Sequence, residues 1–449
     1  MHGAHRHRQG AIIAVLCAAA VVCCGLTPTA IAAELYYSYR NGDVGGAARL
    51  KLDAATGKVL AHETIYESRA ADRARKLAVT ADGRYLILTN SRSDQANLFV
   101  TDLHSPDFRT TALEFPSEPD EVRIFGTHAV VGGDKGNLCV VDLTIPHIVS
   151  RWNSRGTLKP SGHKPEDILI LPGQARAVVS FQKDTRGGKH FGSRVVVMEL
   201  PTLRVVHDLL LPRNRPELHI PGSNRERGPN PEVVFASPET NTLFVSLDLY
   251  GAVALADLDA AVNDGRWSKL VYLPTAVDAS WGDSFPDRMV RFATQGEEYV
   301  FVCNAGPKGG AAVVDLADRA ITARVDCRFG LETPTYLPGL QSIVAAPAGK
   351  RKSRGAKELD EQSLPGRDVW LFDVSDLNER GQVKTETIEL DTLVFRLAAL
   401  DPEENALVCF LTGEKEPDTL VIYDLARRAA LSRHPARGAM ERTWMISGN

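Results

Sequence analysis

An apolar strand that ends in an acidic residue followed by another apolar residue recurs along the whole chain. It appears as "ARLKLD" to Asp53, "LFVTDL" to Asp102, "LCVVDL" to Asp142 and "VVVMEL" to Glu199. It continues as "AVALADL" to Asp257, "AAVVDL" to Asp315, "VWLFDV" to Asp373 and "LVIYDL" to Asp424. Successive acids lie 40 to 58 residues apart, so eight copies fill the chain from end to end. Each copy follows two shorter apolar runs separated by a turn, most clearly in "LAVTADGRYLILTNSRSDQANLFVTDL". Each is followed by a fourth run, such as "RTTALEF", "RVVHDLL" or "AITARVD". Short runs rich in Val, Ile, Leu and Tyr between Gly, Pro and Asp turns are strands. A period of this length built from four strands predicts repeated four-stranded units.

Four-stranded units set around an axis make a β-propeller, an all-β fold that leaves only short, protected strand edges. Seven units carry all four strands within one stretch of chain. In the eighth, "ELYYSYR", "ARLKLD" and "KVLAHETIY" lack a first strand, which "ERTWMIS" at the C-terminus would supply. The expectation is a single propeller of eight blades, closed by the N- and C-terminal strands in one blade. Seven blades is the alternative, in which the N-terminal strands only complete the last blade. One short helical turn is expected at 258–263.

The "VTADGRYLILTN" copy resembles the YVTN-type propeller repeat, and "VFASPETNTLFVSL" and "AALDPEENALVCFL" are looser copies. That superfamily includes lactonase-like, surface-layer-like and haem d1-like propellers, so the resemblance implies the architecture and leaves the function open. Trp-Asp blade ends and Ser-x-Asp-x-Gly boxes, the marks of other propellers, do not occur.

The first residues, "MHGAHRHRQG", are basic and carry no acid; "AIIAVLCAAAVVCCGL" is apolar, and Ala30-Ile31-Ala32 is a small-residue cleavage site. This is the pattern of an export signal. Residues 1–33 are therefore expected to be a signal peptide and 34–449 the propeller, in a periplasmic or extracellular protein. Without Arg6 and Arg8, the 52 basic residues of the full chain fall to 50 against 56 acidic ones. That balance excludes a nucleic-acid binder, which needs a basic excess on one face. No CxxC or CxxCH motif is present, and Cys139, Cys303 and Cys409 sit in apolar runs as buried thiols would.

Within a blade, the loops before the innermost strand and between the second and third strands share one face. The long loops 182–192, 212–230, 274–287 and 349–367 all fall there, and loops on a rigid scaffold carry function. At the same face the inner strands begin. Read round the ring, their first residues include Arg75, Asp120, His163 with Glu166 and Asp167, Glu232, Asp287 with Arg288, Glu332 and Arg396. A funnel with converging polar groups is a natural binding site. His163 beside Glu166 or Asp167 could take a proton from water. Arg75 or Arg288 could hold a developing oxyanion. His190 and His219 lie in the long loops, and Trp281 in "DASWGDSF" could stack on a sugar ring. The acids that close the third strands are assigned to turn capping on the opposite face.

Three readings follow. The first is an exported scaffold, acting as a monomer, that binds a small molecule or an extracytoplasmic protein without catalysis. The second is a lactonase-like hydrolase using His163, a carboxylate and an arginine. The third is a haem d1-like cofactor carrier. No cofactor or metal is assigned.

Overall fold

The computed structural model describes residues 32–446 apart from 54–55, 93–94, 159–162, 174, 184–192, 213–228, 283, 307–308, 328–329, 348–366, 391–392, 402–405 and 413–417. All of the expected signal peptide but Ala32 and Ala33, which begin the first strand, lies outside the described residues, as do most of the loops at 182–192, 212–230 and 349–367.

The described residues form strands β1 to β32 in chain order, arranged as eight four-stranded antiparallel sheets. Seven sheets use consecutive strands. Their inner strands are β4 (Ala74–Val79), β8 (Pro119–Phe125), β12 (His163–Ile170), β16 (Pro231–Ser237), β20 (Pro286–Thr294), β24 (Leu331–Leu337) and β28 (Leu393–Asp401). The eighth sheet joins β1 (Ala32–Asn41), β2 (Val44–Asp53) and β3 (Val59–Ser68) to β32 (Ala439–Ile446). There β1 pairs with β32 along Glu34↔Ile446 to Arg40↔Ala439. The two ends of the chain thus meet in one blade, and the seven-blade alternative is set aside. We number that blade 1 and count on from β4 as blade 2.

The core explains the ring. Eight apolar clusters are present among the described residues, and each lies between two consecutive blades. Strand alternation does the sorting. In β5 (Tyr85–Asn90), Leu86 and Leu88 join the cluster shared with blade 1, whereas Tyr85 and Ile87 join the one shared with blade 3. In β17 (Thr242–Leu247), Leu243, Val245 and Leu247 face blade 4, and Phe244 faces blade 6. Both faces are covered, so these middle strands are buried throughout and read as continuous apolar runs. Leu35, Tyr37 and Tyr39 of blade 1 pack with Leu420 and Ile422 of blade 8, and Tyr36 packs with Leu77 and Leu88 of blade 2. Each fully buried side chain of this size contributes about 1.5–3 kcal/mol.

The helix at Leu258–Val262 forms where a turn was expected. The repeated acids cap their turns: Asp102 Oδ1 accepts from His104 N–H, Asp142 Oδ1 from Thr144 and Ile145, Asp315 Oδ1 from Asp318 and Asp424 Oδ1 from Arg427. Asp257 departs from this. No capping bond comes from its side chain, which instead binds Arg319 and Ser268. Cys139, Cys303 and Cys327 are free buried thiols. No helix among the described residues is long and apolar enough to cross a membrane.

Candidate functional site

Every inner strand carries a break in register against the second strand of its blade, close to where the inner strand begins. In blade 3 the pairs Pro119↔Gly133 and Glu121↔Gly132 leave Asp120 without an opposite residue. In blade 4, Pro165↔Phe181 and Asp167↔Ser180 leave Glu166. In blade 6, Pro286↔Asn304 and Arg288↔Cys303 leave Asp287. Blades 8 and 1 leave Phe395 and Glu441. Two residues face one elsewhere: Arg75 and Lys76 in blade 2, Glu232 and Val233 in blade 5, Thr333 and Pro334 in blade 7. These are β-bulges, which turn an extra side chain out of the pleat. Hydroxyls of the second strand take the N–H groups that the bulges free from the ladder. Thr89 Oγ1 accepts from Lys76 N–H at 3.0 Å, Ser180 Oγ from Asp167 N–H at 3.1 Å and Ser246 Oγ from Val233 N–H at 2.9 Å.

The bulges bring charges of successive blades together. Arg75 pairs with Asp120 at 3.0 Å, and Lys76 with Glu121. Lys164 binds Asp120, Glu166 at 3.1 Å and Asp134 at 3.7 Å. Arg123 binds Glu121 and, at 2.7 Å, Asp167 of the next blade. Arg288 lies 3.5 Å from Asp287 and interacts electrostatically with Glu332, Glu232 and Glu121. Its field thus reaches from blade 6 to blade 7 on one side and to blade 3 on the other. Protein surrounds Arg123 closely, yet 40 % of its side-chain surface is open, as befits a group lining a concave ring.

Burial decides which of these groups carry charge. It opposes ionisation of Asp120, but Lys164, Arg75 and Lys76 outweigh it and hold that carboxyl well below the usual range. Burial also works against Lys164, whose ammonium is nevertheless kept charged by Glu166 and Asp120. Glu166 goes the other way, raised by burial more than Lys164 lowers it. Glu232 is raised well above the ordinary value by burial, and then by the charges of Asp287, Asp248 and Glu166.

The expected residues separate accordingly. Arg75, Asp120, Glu166, Glu232, Asp287, Arg288 and Glu332 belong to one electrostatic network. Asp167, expected as a catalytic carboxylate, is a structural pin: Oδ1 accepts from Arg123 and from Ile168 N–H at 2.9 Å, and Oδ2 from Val234 N–H at 3.0 Å. His163 opens β12 opposite Lys183, and Arg396 of β28 pairs with Phe410 of the following strand; the side chains of His163 and Arg396 lie outside the described residues. His190 and His219 are outside them altogether. Trp281 is partly buried against the core between blades 4 and 5, which anchors its loop. That loop, 274–287, is tied to both neighbouring blades by Gly282 N–H to Tyr250 O and Gly306 N–H to Ser284 O. Among the described residues no group of three or more His, Cys, Asp or Glu is arranged to hold a metal ion.

Arg123 was not among the expected residues. Its signal is "PDEVRIF", in which Glu121 and Arg123 alternate on one face of the strand.

These features define the class: an eight-bladed β-propeller with a ring of bulged polar residues where its inner strands begin. No family model matches the chain, and no curated protein does. Solved structures share the fold. The dihydro-haem d1 dehydrogenase NirN, in complex with DHE, is 13 % identical with a TM-score of 0.64, over 92 % of this chain and 75 % of that one. Apo AztD from Citrobacter koseri is 12 % identical with a TM-score of 0.56, over 93 % and 99 %. BamB from Moraxella catarrhalis is 11 % identical with a TM-score of 0.51, over 83 % and 92 %. At such identity the likeness is one of fold, in keeping with the YVTN-type repeat of the sequence.

Proposed function

We propose that the protein is an exported propeller that binds a small polar molecule at its ring of bulged residues, without catalysing a reaction on it. The supporting observation is the bulges themselves. Each interrupts the ladder at the same level of its inner strand, and bulges recur beside functional sites, where they re-aim a side chain. Here they gather Arg75, Asp120, Glu166, Glu232 and Asp287 from five consecutive blades. The N-terminal segment that reads as an export signal supports a location outside the cytoplasm.

Titration of the purified protein with sugars, lactones, sugar acids, phosphorylated compounds and amines, followed by thermal shift, tests this reading. A ligand present at a hundredfold excess over its dissociation constant stabilises by about 2.7 kcal/mol. A shift lost in Glu166→Gln and Asp287→Asn supports the ring as the site; a shift that survives both places binding elsewhere.

A second reading rests on Glu166, whose raised pKa suits a general base. With Arg288 as anion partner it would support hydrolysis of a lactone, and turnover of any bound lactone decides between the two. The haem d1-like reading is tested by the visible absorbance of the protein after incubation with tetrapyrroles.

A further inference from the structure

The ring is uneven, and its unevenness has a chemical sense. In blades 2 to 4 the charges are interlocked, with Arg75, Lys76, Arg123 and Lys164 each paired to a carboxylate. From blade 4 to blade 7 the balance changes. Glu232, Asp287 and Glu332 meet Arg288 as the cation they share, while Asp248 and Glu166 add their negative charge around Glu232.

The same arc holds buried acceptors that lack hydrogen bonds. Glu166 Oε2 and Asp287 Oδ1 have none, although Lys164 and Arg288 approach them as charges at 3.1 and 3.5 Å. Asn304 Oδ1, opposite Pro286 at the blade 6 bulge, has none either. Beside these buried atoms the Glu232 carboxyl is only half-buried; among the described residues no hydrogen bond or ion pair reaches it, and it stands amid Asp287, Asp248, Glu166 and Arg288. Buried polar atoms in folded proteins are otherwise almost all satisfied, so each orphan calls for an explanation. These four side chains sit on adjoining blades, and all of them present acceptor oxygens.

Resting on the reading of the ring as a binding site, we propose that the arc from Glu166 through Glu232 to Asp287 receives the cationic head of an organic amine or guanidine. A surface on which carboxylates outnumber the cations Lys164 and Arg288, and on which acceptor oxygens are left open, selects a ligand that brings N–H donors and positive charge together. A compact metal ion fits less well, because no three ligating groups of the described residues converge on one point. An ammonium or guanidinium group, with three to five donors spread over several ångströms, can reach acceptors on separate blades.

Agmatine and spermidine are suitable probes, with gluconolactone and gluconate as neutral and anionic counterparts. Calorimetric titration is expected to show a cation binding to the wild type, with affinity rising as pH is raised and the carboxyl cluster gives up its protons. Binding is expected to weaken at least tenfold in Glu232→Gln and in Asp287→Asn. Circular dichroism and the ligand-free melting midpoint of each variant establish that it is folded. Titration in two buffers of different ionisation enthalpy is expected to show proton release as the cation replaces a proton on the carboxyl cluster. Equal binding of the cation to wild type and to a folded Glu232→Gln overturns the proposal. Binding of gluconate or gluconolactone at the ring, with no binding of either cation, also overturns it but leaves the ring as a binding site. Absence of any binding at the ring removes both readings.

Discussion

The backbone N–H of Val234 donates to Asp167 Oδ2 at 3.0 Å, although the two residues are 67 positions apart and lie on the inner strands of different blades. The other oxygen of Asp167 holds Arg123 of the preceding blade at 2.7 Å. One carboxylate therefore joins blades 3, 4 and 5. Ser180 lies beneath the same junction, accepting from Asp167 N–H and donating to Glu232 O at 2.5 Å. Asp167→Ala would orphan a buried N–H and strip a partner from Arg123. We expect a loss of about 2–4 kcal/mol in urea unfolding. Asp167→Asn should cost less, since one acceptor remains. An Asp167→Ala protein as stable as wild type would refute the pin.

Glu232 predicts how stability depends on pH at the neutral side. Its folded pKa lies above the unfolded value, so the stability it contributes is fully present below about pH 4.3 and is lost as pH rises through the folded pKa. Glu232→Gln removes that loss. The stability of the variant should gain on that of wild type as pH rises from about 4 toward the folded pKa and level off above it, by linkage at about 1.4 kcal/mol for each pH unit over which the group titrates differently. Parallel profiles for the two proteins would show that Glu232 titrates as an ordinary surface acid.

The blade count was legible because each third strand ends in an acid, and acids such as Asp142 and Asp315 cap the next turn. The bulges were not read, although four of them carry a mark. Pro119, Pro165, Pro231 and Pro286 each precede an acid. Pro119, Pro231 and Pro286 open their strands and Pro165 lies within β12, paired with Gly133, Leu247, Asn304 and Phe181 respectively. Proline lacks an N–H and is tolerated where a bulge interrupts the ladder. The junction of Asp167 with Arg123 was not read from the sequence for a different reason. Their partnership spans 44 residues and two blades, and no local spacing shows which inner strands will adjoin.

The blade that closes the ring sets a third expectation. Removing residues 439–449 would strip β32 from β1 and open the edge that carries Leu35, Tyr37 and Tyr39. It would also remove the Met440 N–H that donates to Asp418 Oδ2 at 2.8 Å. An open, apolar strand edge promotes pairing with other chains. The truncated protein should elute from size exclusion as oligomer or aggregate and lose a cooperative melting transition. A monomer that melts as wild type does would mean that blade 1 closes without its C-terminal strand.

Asp120 supplies the acid limb of the pH profile, with the opposite sign to Glu232. Lys164, Arg75 and Lys76 hold its folded pKa below the unfolded value despite burial. Its contribution is therefore present above roughly pH 4 and is lost as pH falls through the folded pKa. Near neutrality Asp120→Asn should cost about 1–3 kcal/mol, because Lys164 and Arg75 lose their charged partner. The difference between variant and wild type should shrink below pH 4, where the unfolded chain takes up its proton at this carboxyl first, and should vanish only once pH has fallen through the lower folded pKa. Lys164→Met removes the cation from the same junction and leaves Asp120 and Glu166 facing one another. In that variant the acid limb should move to higher pH, as both carboxyls take up protons more readily. An unchanged acid limb in Lys164→Met would show that Arg75 and Lys76 alone set the ionisation of Asp120.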